Sequence, residues 1–216
     1  MQTAYNQFLA NIGEVKKLED LFHFLKYTQG LPNDLSDLLR AEIIYSISAL
    51  DKLVHELVRI GMVQAFKGNR SKTPSFDNFT ISAQTLDKIM ETSLERSQNP
   101  TRPILASSEL PEYWFEQEIM HKHKFLAFQD TKKMSEGLSL IWNENHKWQK
   151  IATLMGKSES EVKTPLEMMV TRRNQIAHEA DIHLLTQVRN TIMENDVNEF
   201  VIFVESLGKA IFDCVK

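Results

Sequence analysis

Glycine and proline are scarce in this chain, which has only seven Gly and six Pro among 216 residues. Together they occur about half as often as in an average protein, where they make up roughly 7% and 5%. The shortage disfavours glycine-rich phosphate-binding loops, turn-dense β-sandwiches, collagen-like repeats and disordered linkers. Because helices need the fewest turn residues, the composition favours an all-α fold.

Cysteine is nearly absent as well. Cys214 is the single cysteine, so the chain cannot close an internal disulfide or supply a C-x-x-C pair for zinc. The sequence also lacks an H-E-x-x-H motif, a Walker loop and the motifs of Ser or Cys nucleophiles. We therefore expect a reduced thiol in a cytoplasmic protein that uses no metal ion and no other cofactor.

Long apolar segments are missing too. The first ten residues lack the basic start and the apolar stretch of a signal peptide. The longest strongly apolar run, Phe200 to Val204, is far shorter than the roughly 18 residues of a membrane span. These absences predict a soluble protein that is not exported and has no membrane partner.

Neither sign of charge dominates the whole chain. It has 25 basic and 29 acidic side chains, a net charge of -4, which argues against indiscriminate binding to polyanions. Residues 121–175, however, carry 10 basic and 6 acidic side chains, a local net charge of +4. This basic zone is as typical of a solvated helix face as of a ligand-binding surface.

Apolar periodicity is the clearest pattern that is present. Apolar residues at spacings of three and four predict a helix from Tyr5 to Leu25, ended by Gly30-Leu31-Pro32. The same spacing predicts a longer helix from Asp34 to Ile60. Two long helices joined by a short loop lie antiparallel, which is the start of an up-down bundle.

Residues 67–111 interrupt this pattern. They hold four of the six prolines and many Ser, Thr and Asn, which predicts a long irregular insertion after the second helix, with one short helix from Ser82 to Leu94. We expect residues 1–216 to form a single domain that contains this insertion. Helical spacing returns beyond it in three segments, which are Tyr113 to Phe128, Met134 to Trp142, and Lys147 to Met155 with Gly156 as the stop.

The next helix has the clearest start signals. Thr164 as N-cap, Pro165 at N1 and Glu167 at N3 form one capping box. Ser158 and Glu161 offer a competing, earlier start, in which case the proline would kink the helix. Either start leaves the segment that follows the proline helical.

The last helix follows a connection through residues 181–195. Asp196 and Glu199 predict a second capping box at its start. Its apolar residues repeat at helical spacing and comprise Phe200, Val201, Val204, Leu207, Ile211 and Phe212. No sequence repeat and no strand pattern competes with this helical organisation.

The sharpest chemical signal is the string from Thr171 to His178, TRRNQIAH. Asn174 and His178 are four residues apart on a helix and stack on one face, while Arg173 lies about 7.5 Å of rise and roughly 140° from His178. An arginine side chain is long enough to close that angle. The three groups can therefore converge on one anion, with guanidinium for phosphate oxygens, amide for orientation and imidazole for proton transfer near neutral pH.

Two alternatives stay open for this string. Arg172 also has a suitable spacing to the histidine, and Arg173 is preferred because Asn174 follows it. The same residues could simply form exposed ion pairs with Glu179 and Asp181, worth about 0 to 1 kcal/mol. A carboxylate next to the histidine could orient the imidazole or repel RNA, and the sequence does not decide between these roles.

Two weaker signals complete the list of candidates. His178, Asp181 and His183 are possible metal ligands, but their spacing crosses a helix end and no second cluster accompanies them, so we predict no metal site. In residues 121–124 two His alternate with two Lys, which is typical of a solvated basic stretch and, as a second interpretation, of contact with an RNA backbone. The candidate RNA-binding side chains are Arg172, Lys122 and Lys124.

The string from Arg173 to His178 resembles the R-x(4-6)-H signature of the HEPN superfamily, in which the residue after the Arg is typically polar and often Asn. The order of long antiparallel helices, motif helix and C-terminal helix is similar as well, over residues 1–66 and 111–216. Among the branches of that superfamily, the chain is most similar to the RiboL-PSP-type proteins of bacterial genomes and plasmids. The resemblance implies an all-α, up-down helical bundle of HEPN type.

The resemblance also implies an activity. Many HEPN proteins are metal-independent endoribonucleases that act as homodimers, with one composite site where two motif helices meet. The RNA 2'-hydroxyl would attack the adjacent phosphorus, leaving a 2',3'-cyclic phosphate and a 5'-hydroxyl. His178 would move a proton, Arg173 would stabilise charge on the phosphoryl oxygens, and Asn174 would hold the scissile group or the histidine.

The cellular role that the resemblance implies is that of a toxin, with an antitoxin protein as a possible partner, or of a defence protein against phage and plasmids. The alternative is a non-catalytic HEPN module that binds nucleotide, RNA or a protein partner. A purely structural helical interaction protein is the third possibility.

Overall fold

Helices form nearly all of the regular structure, as the all-α prediction requires. The computed structural model describes residues 1–183 and 185–216, in which the one β-type pairing is an isolated antiparallel bridge between Ile182 and Arg189. The helices are α1 (Gln2–His23), α2 (Ser36–Phe66), α3 (Pro74–Asp77), α4 (Ala83–Gln98), α5 (Pro111–His123), α6 (Thr131–Ser139), α7 (Lys147–Leu154), α8 (Glu159–Glu179) and α9 (Glu194–Val215). No helix of the described residues is long and apolar enough to cross a membrane.

The long helix α2 lies at the centre of the bundle. It packs against α1, α5, α6, α8 and α9. Ile47, Leu50 and Val54 are fully buried along it, as expected for a helix with neighbours on several sides. The backbone of α9 lies close to α1 at Gly208. A Cβ at that position would lie 2.4 Å from the ring of Phe8, so this close approach requires glycine. The two predicted N-terminal helices are confirmed, and α1 continues as a π-helical turn over Phe24–Thr28.

Residues 67–111 contain a helix that packs on the bundle. α4 begins after Ser82, as predicted, and continues about one turn beyond the predicted end. Its start is held by the buried carboxylate of Glu118 on α5, which accepts hydrogen bonds from the Ser82 N–H (3.0 Å) and the Thr85 hydroxyl (2.7 Å). Burial acts to raise the pKa of Glu118, but these hydrogen bonds outweigh it and the pKa is lowered.

The helix predicted from Tyr113 to Phe128 is shorter than expected. α5 ends at His123, and the chain then turns so that the ring of Phe128 is buried. The Phe128 N–H donates a hydrogen bond to Asp51 on α2, which holds the turn in place. Burial of one aromatic ring thus ends this helix early, against the local pattern.

The start of the last helix also differs from the prediction. α9 begins at Glu194 with Met193 as N-cap, so the capping box of Asp196 and Glu199 is wrong. The Glu194 carboxylate accepts a hydrogen bond from the Tyr27 hydroxyl at 2.8 Å, a contact from the other end of the chain. Asp196 lies in the first turn, where a negative charge is favourable to the helix dipole.

Glu42 places a carboxyl group in the core of the bundle. Glu42 on α2 is 1% exposed, and its Oε1 makes no hydrogen bond within residues 1–183 and 185–216. Burial, together with repulsion from Glu19 and Glu194, raises the pKa of Glu42 from 4.5 to about 7. The folded protein therefore favours the protonated form of Glu42 below about pH 7.

We expect Glu42→Gln to stabilise the protein at pH 8 and to change little at pH 4. The pKa of Glu42 is higher in the folded than in the unfolded state. Its burial therefore does not lower the free energy of unfolding below about pH 4.5, and it lowers that free energy progressively as the pH rises to about 7. At about 1.4 kcal/mol per pKa unit, the full penalty is roughly 3 kcal/mol. Urea unfolding at both pH values measures it, with the exposed Glu199→Gln as control. Equal effects of Glu42→Gln at pH 4 and pH 8 would contradict the expectation.

Candidate active site on helix α8

Helix α8 carries the predicted motif and begins earlier than its Thr164 box predicts. The Ser158 hydroxyl accepts from the Glu161 N–H, and the Glu161 carboxylate accepts from the Ser158 N–H at 2.8 Å, which completes the competing capping box. Thr164 as N-cap is therefore wrong, and Pro165 lies inside the helix at the end of its second turn. The six additional residues, nearly two turns, bury Val162 completely, which offsets the backbone hydrogen bond that the proline cannot donate.

The C-terminal end of α8 is a tight turn. Ala180 and Asp181 follow the helix with φ angles of 51° and 57°, a left-handed conformation that non-glycine residues adopt at a cost. The Asp181 N–H donates to the carbonyl of Gln175 at 3.1 Å, which caps the helix. This turn returns the chain to the bundle and leaves Asp181 with no exposed surface.

Two arginines hold the buried carboxylate of Asp181. Arg172 binds it with both terminal nitrogens, Nη1 to Oδ1 and Nη2 to Oδ2, each at 2.9 Å. Arg40 of α2, itself 4% exposed, donates from Nε to Oδ2 at 2.7 Å. Asn190 donates from Nδ2 to Oδ1 at 3.1 Å. We call these four residues the Asp181 cluster, and it ties the motif end of α8 to α2 through charge-assisted hydrogen bonds.

The cluster distinguishes the two candidate motif arginines. The guanidinium of Arg172 is occupied by Asp181 and by the carbonyl of Thr191, at 3.0 Å. Arg173 donates from Nη1 to Asn174 Oδ1 at 3.0 Å, and its buried Nε has no partner within the described residues. The Nη2 of Arg173 also has no hydrogen bond within the described residues and is not buried, so it remains a donor for a ligand, whereas the donors of Arg172 serve the fold.

The three motif side chains are only partly assembled within one chain. Arg173 continues the buried stripe of Val162, Leu166 and Met169 at spacings of three and four, and is half-buried. Asn174, which contacts it, is exposed. His178 is exposed in the last turn of α8 and makes no hydrogen bond within residues 1–183 and 185–216. The structure thus joins the arginine to the asparagine and leaves the imidazole open to solvent.

The two candidate RNA-binding lysines lie elsewhere. Lys122 near the end of α5 donates to the hydroxyl of Thr80 at 2.8 Å, and Lys124 lines a small pocket together with Lys52 of α2. Arg40 of the Asp181 cluster is twelve residues before Lys52, about 18 Å along the axis of α2. The structure therefore does not bring these lysines to the motif end of α8.

The two histidines of residues 121–124 lie on opposite sides of α5. His121 is exposed, whereas His123 is 7% exposed and its ring contacts those of Phe79 and Phe128. Burial first, and then neighbouring positive charges, lower the pKa of His123 from 6.5 to about 4. This imidazole is neutral near pH 7 and packs with the aromatic rings around it.

The possible metal ligands do not come together. Nowhere in the described residues do three His, Cys, Asp or Glu side chains group in a way that could hold a metal ion. Asp181 faces two arginines, and Nδ1 of His183 accepts from the Thr186 N–H at 3.3 Å. The carboxylate orients neither a metal nor the imidazole of His178.

Arg40 and Asn190 are the site residues that the sequence pattern does not reveal. Arg40 lies three residues before Ile43 and seven before Ile47, so it falls on the buried face of α2. A buried charge must be paired, so an arginine on the buried face of a helix indicates an acidic partner elsewhere in the chain. No local pattern identifies Asp181 as that partner, because the two are 141 residues apart.

Comparison with known proteins identifies the family of the chain. The sequence matches the family RiboL-PSP-HEPN over residues 11–216, a range that includes α8 and also residues 67–111. No curated protein and no solved structure matches the chain. HEPN proteins are nucleases or nucleotide-binding modules. The helical bundle, the motif on α8 and a match over nearly the whole length together show that the chain belongs to the RiboL-PSP-HEPN family.

Proposed function

We propose that this protein is a metal-independent endoribonuclease, active as a homodimer, with Arg173, Asn174 and His178 in its site. The observation that carries the proposal is the different state of two adjacent arginines. Arg172 is held by Asp181, while Arg173 keeps a free donor beside the exposed Asn174, on the same helix as the exposed His178. Such a set of groups is suited to an RNA phosphate.

The chemistry follows from the groups that remain free. The 2'-hydroxyl of the RNA attacks the adjacent phosphorus, and the bond to the 5'-oxygen of the next nucleotide breaks. His178 moves a proton, since an imidazole changes charge near neutral pH. Arg173 stabilises the charge that develops on the phosphoryl oxygens. Asn174, which accepts a hydrogen bond from Arg173, holds the guanidinium in place.

A homodimer supplies what one chain lacks. Cleavage by this route requires one group that accepts the 2'-hydroxyl proton and another that donates a proton to the leaving oxygen. One chain has His178 alone at the motif, whereas two α8 helices related by a two-fold axis bring two imidazoles and two guanidinium groups into one cleft. The exposure of His178 at the end of α8 supports this arrangement.

The test is an RNA cleavage assay in EDTA with analysis of the product ends. We expect cleavage that leaves 2',3'-cyclic phosphate and 5'-hydroxyl ends, because the nucleophile belongs to the RNA. DNA of the same sequence is the control and should remain intact. Products with a 3'-hydroxyl, or loss of activity in EDTA, would contradict the proposal.

A non-catalytic module is the second candidate, and one observation favours it. The side chain of Arg173 lies on the buried side of α8 and that of His178 on the exposed side, so one chain does not bring the three motif side chains together. In that case nucleotide, RNA or an antitoxin protein would protect the motif without turnover. A role as a toxin, or in defence against phage and plasmids, is part of the first proposal.

A further inference from the structure

A pocket of about 570 Å³ lies beside the motif, where α8 passes residues 191–193 and the first turns of α9. Most of its exposed surface is apolar, and Met168 and Met193 in its wall are more than half exposed. Seven of the fourteen lining residues are polar or charged, among them Gln175, Asp196 and Glu167. A concave site with a mainly apolar surface and polar groups that fix orientation is the usual form of a small-ligand site.

The position of Gln175 connects this pocket to the motif. Gln175 is three residues before His178 on the same helix, so the two side chains are neighbours, about 4.5 Å of rise and roughly 60° apart. The side-chain amide of Gln175 makes no hydrogen bond within the described part of the chain. A ligand in the pocket would thus lie next to a group held at His178.

Charge excludes a phosphate from the pocket itself. Arg172 reaches its lining, but the guanidinium is bound to the Asp181 carboxylate, which it shares with Arg40. Glu167 and Asp196 also line the pocket and have no ion-pair partner among residues 1–183 and 185–216, so the charged side chains of the lining are negative on balance. The pocket therefore suits an uncharged ring with hydrogen-bond donors, not an anion.

We infer that this pocket holds a nucleobase of the RNA beside the scissile phosphate, and that Gln175 and Asp196 select a base with an exocyclic amino group. This inference rests on the proposed function. An amide side chain both donates to and accepts from a base edge, and a carboxylate accepts from an amino group. The thioethers of Met168 and Met193 pack against the ring. Uracil has no exocyclic amino group and is disfavoured.

Mapping of cleavage sites in a random-sequence RNA pool tests the selection. We expect uracil to be depleted about tenfold at one position beside the cleaved bond. Gln175→Leu and Asp196→Asn should each reduce this depletion to about twofold, whereas Gln149→Leu, exposed on α7, should leave it unchanged. Cleavage by Gln175→Leu with the full uracil depletion would overturn the inference and leave the proposed function intact.

An assay without turnover separates failure of the pocket from failure of the enzyme. In the His178→Ala variant, the NMR signals of the Gln175 side-chain amide should shift on addition of adenosine or cytidine, and shift much less with uridine. Unchanged signals with all three would overturn the inference even if wild type cleaves RNA. If wild type cleaves no RNA, the proposed function fails, and the amide signals still show whether the pocket binds a base. A change from dimer to monomer in Met168→Asp, measured by sedimentation, would show instead that a second copy covers the pocket.

Discussion

His178→Ala is expected to reduce the rate of RNA cleavage by about 10²- to 10⁴-fold, because it removes the group that moves protons. Arg173→Ala is expected to lose about 10²- to 10³-fold, as when one charge-stabilising donor is removed. His178 is exposed and without hydrogen bonds among the described residues, so its loss should not affect folding. Initial cleavage rates in EDTA, with thermal unfolding of each variant, measure both effects.

Two further variants on α8 serve as controls. Lys163→Ala removes a positive charge that pairs with Glu159 at 3.2 Å on the surface, and should change neither activity nor stability. Arg172→Ala should lower the unfolding temperature, with activity falling only as far as the folded fraction falls. Wild-type rates in both His178→Ala and Arg173→Ala would refute the assignment of these residues. A specific loss in folded Arg172→Ala alone would make Arg172 the motif arginine.

Asp181→Ala is expected to destabilise the protein by about 3 to 5 kcal/mol, the cost of breaking a buried ion pair by removing one partner. Arg40 is 4% exposed and would keep its charge with only the exposed carboxylate of Asp37, at 3.5 Å, as a counter-ion. The left-handed turn at Ala180 and Asp181 would also lose the contacts that hold it. Urea unfolding at pH 7 measures the free energy of unfolding of the variant and of the wild type.

Asp37→Ala is the matched control for the Asp181 cluster. Its carboxylate also contacts Arg40, at 3.5 Å, and Arg189, at 2.7 Å, but it is 70% exposed. Ion pairs of that kind contribute about 0 to 1 kcal/mol. If Asp181→Ala unfolds completely, Asp181→Asn keeps the shape and should still cost more than Asp37→Ala. An Asp181 variant no less stable than Asp37→Ala would contradict a stabilising role of the cluster.

Local patterns account for the helices and for the motif. Helical spacing of apolar residues predicted α1, α2 and α4, the longer helix of residues 67–111, because which face of a helix is buried follows from its own residues. The string from Arg173 to His178 identified the family for the same reason: the motif lies within two turns of one helix.

Competing local signals were resolved by contacts from elsewhere in the chain. Two capping boxes were possible for α8, and the earlier one is used since it adds nearly two turns, which bury Val162. The start of α9 is set by contacts of Glu194 with Tyr27 and His23 of the N-terminal helix region. Capping contributes about 1 kcal/mol, so burial and tertiary hydrogen bonds can outweigh it.

Local patterns in the amino-acid sequence are enough to establish an all-α bundle, its main helices and the position of the motif, because helix formation and side-chain spacing are local properties. Which of the two adjacent arginines is held in an ion pair depends on the tertiary structure. Arg172 and Arg173 have nearly the same spacing to His178, and they differ in that Asp181, returned to the bundle by a left-handed turn, meets Arg172 and the distant Arg40. Pairing of buried charges depends on residues that are far apart in sequence, so no local pattern predicts it.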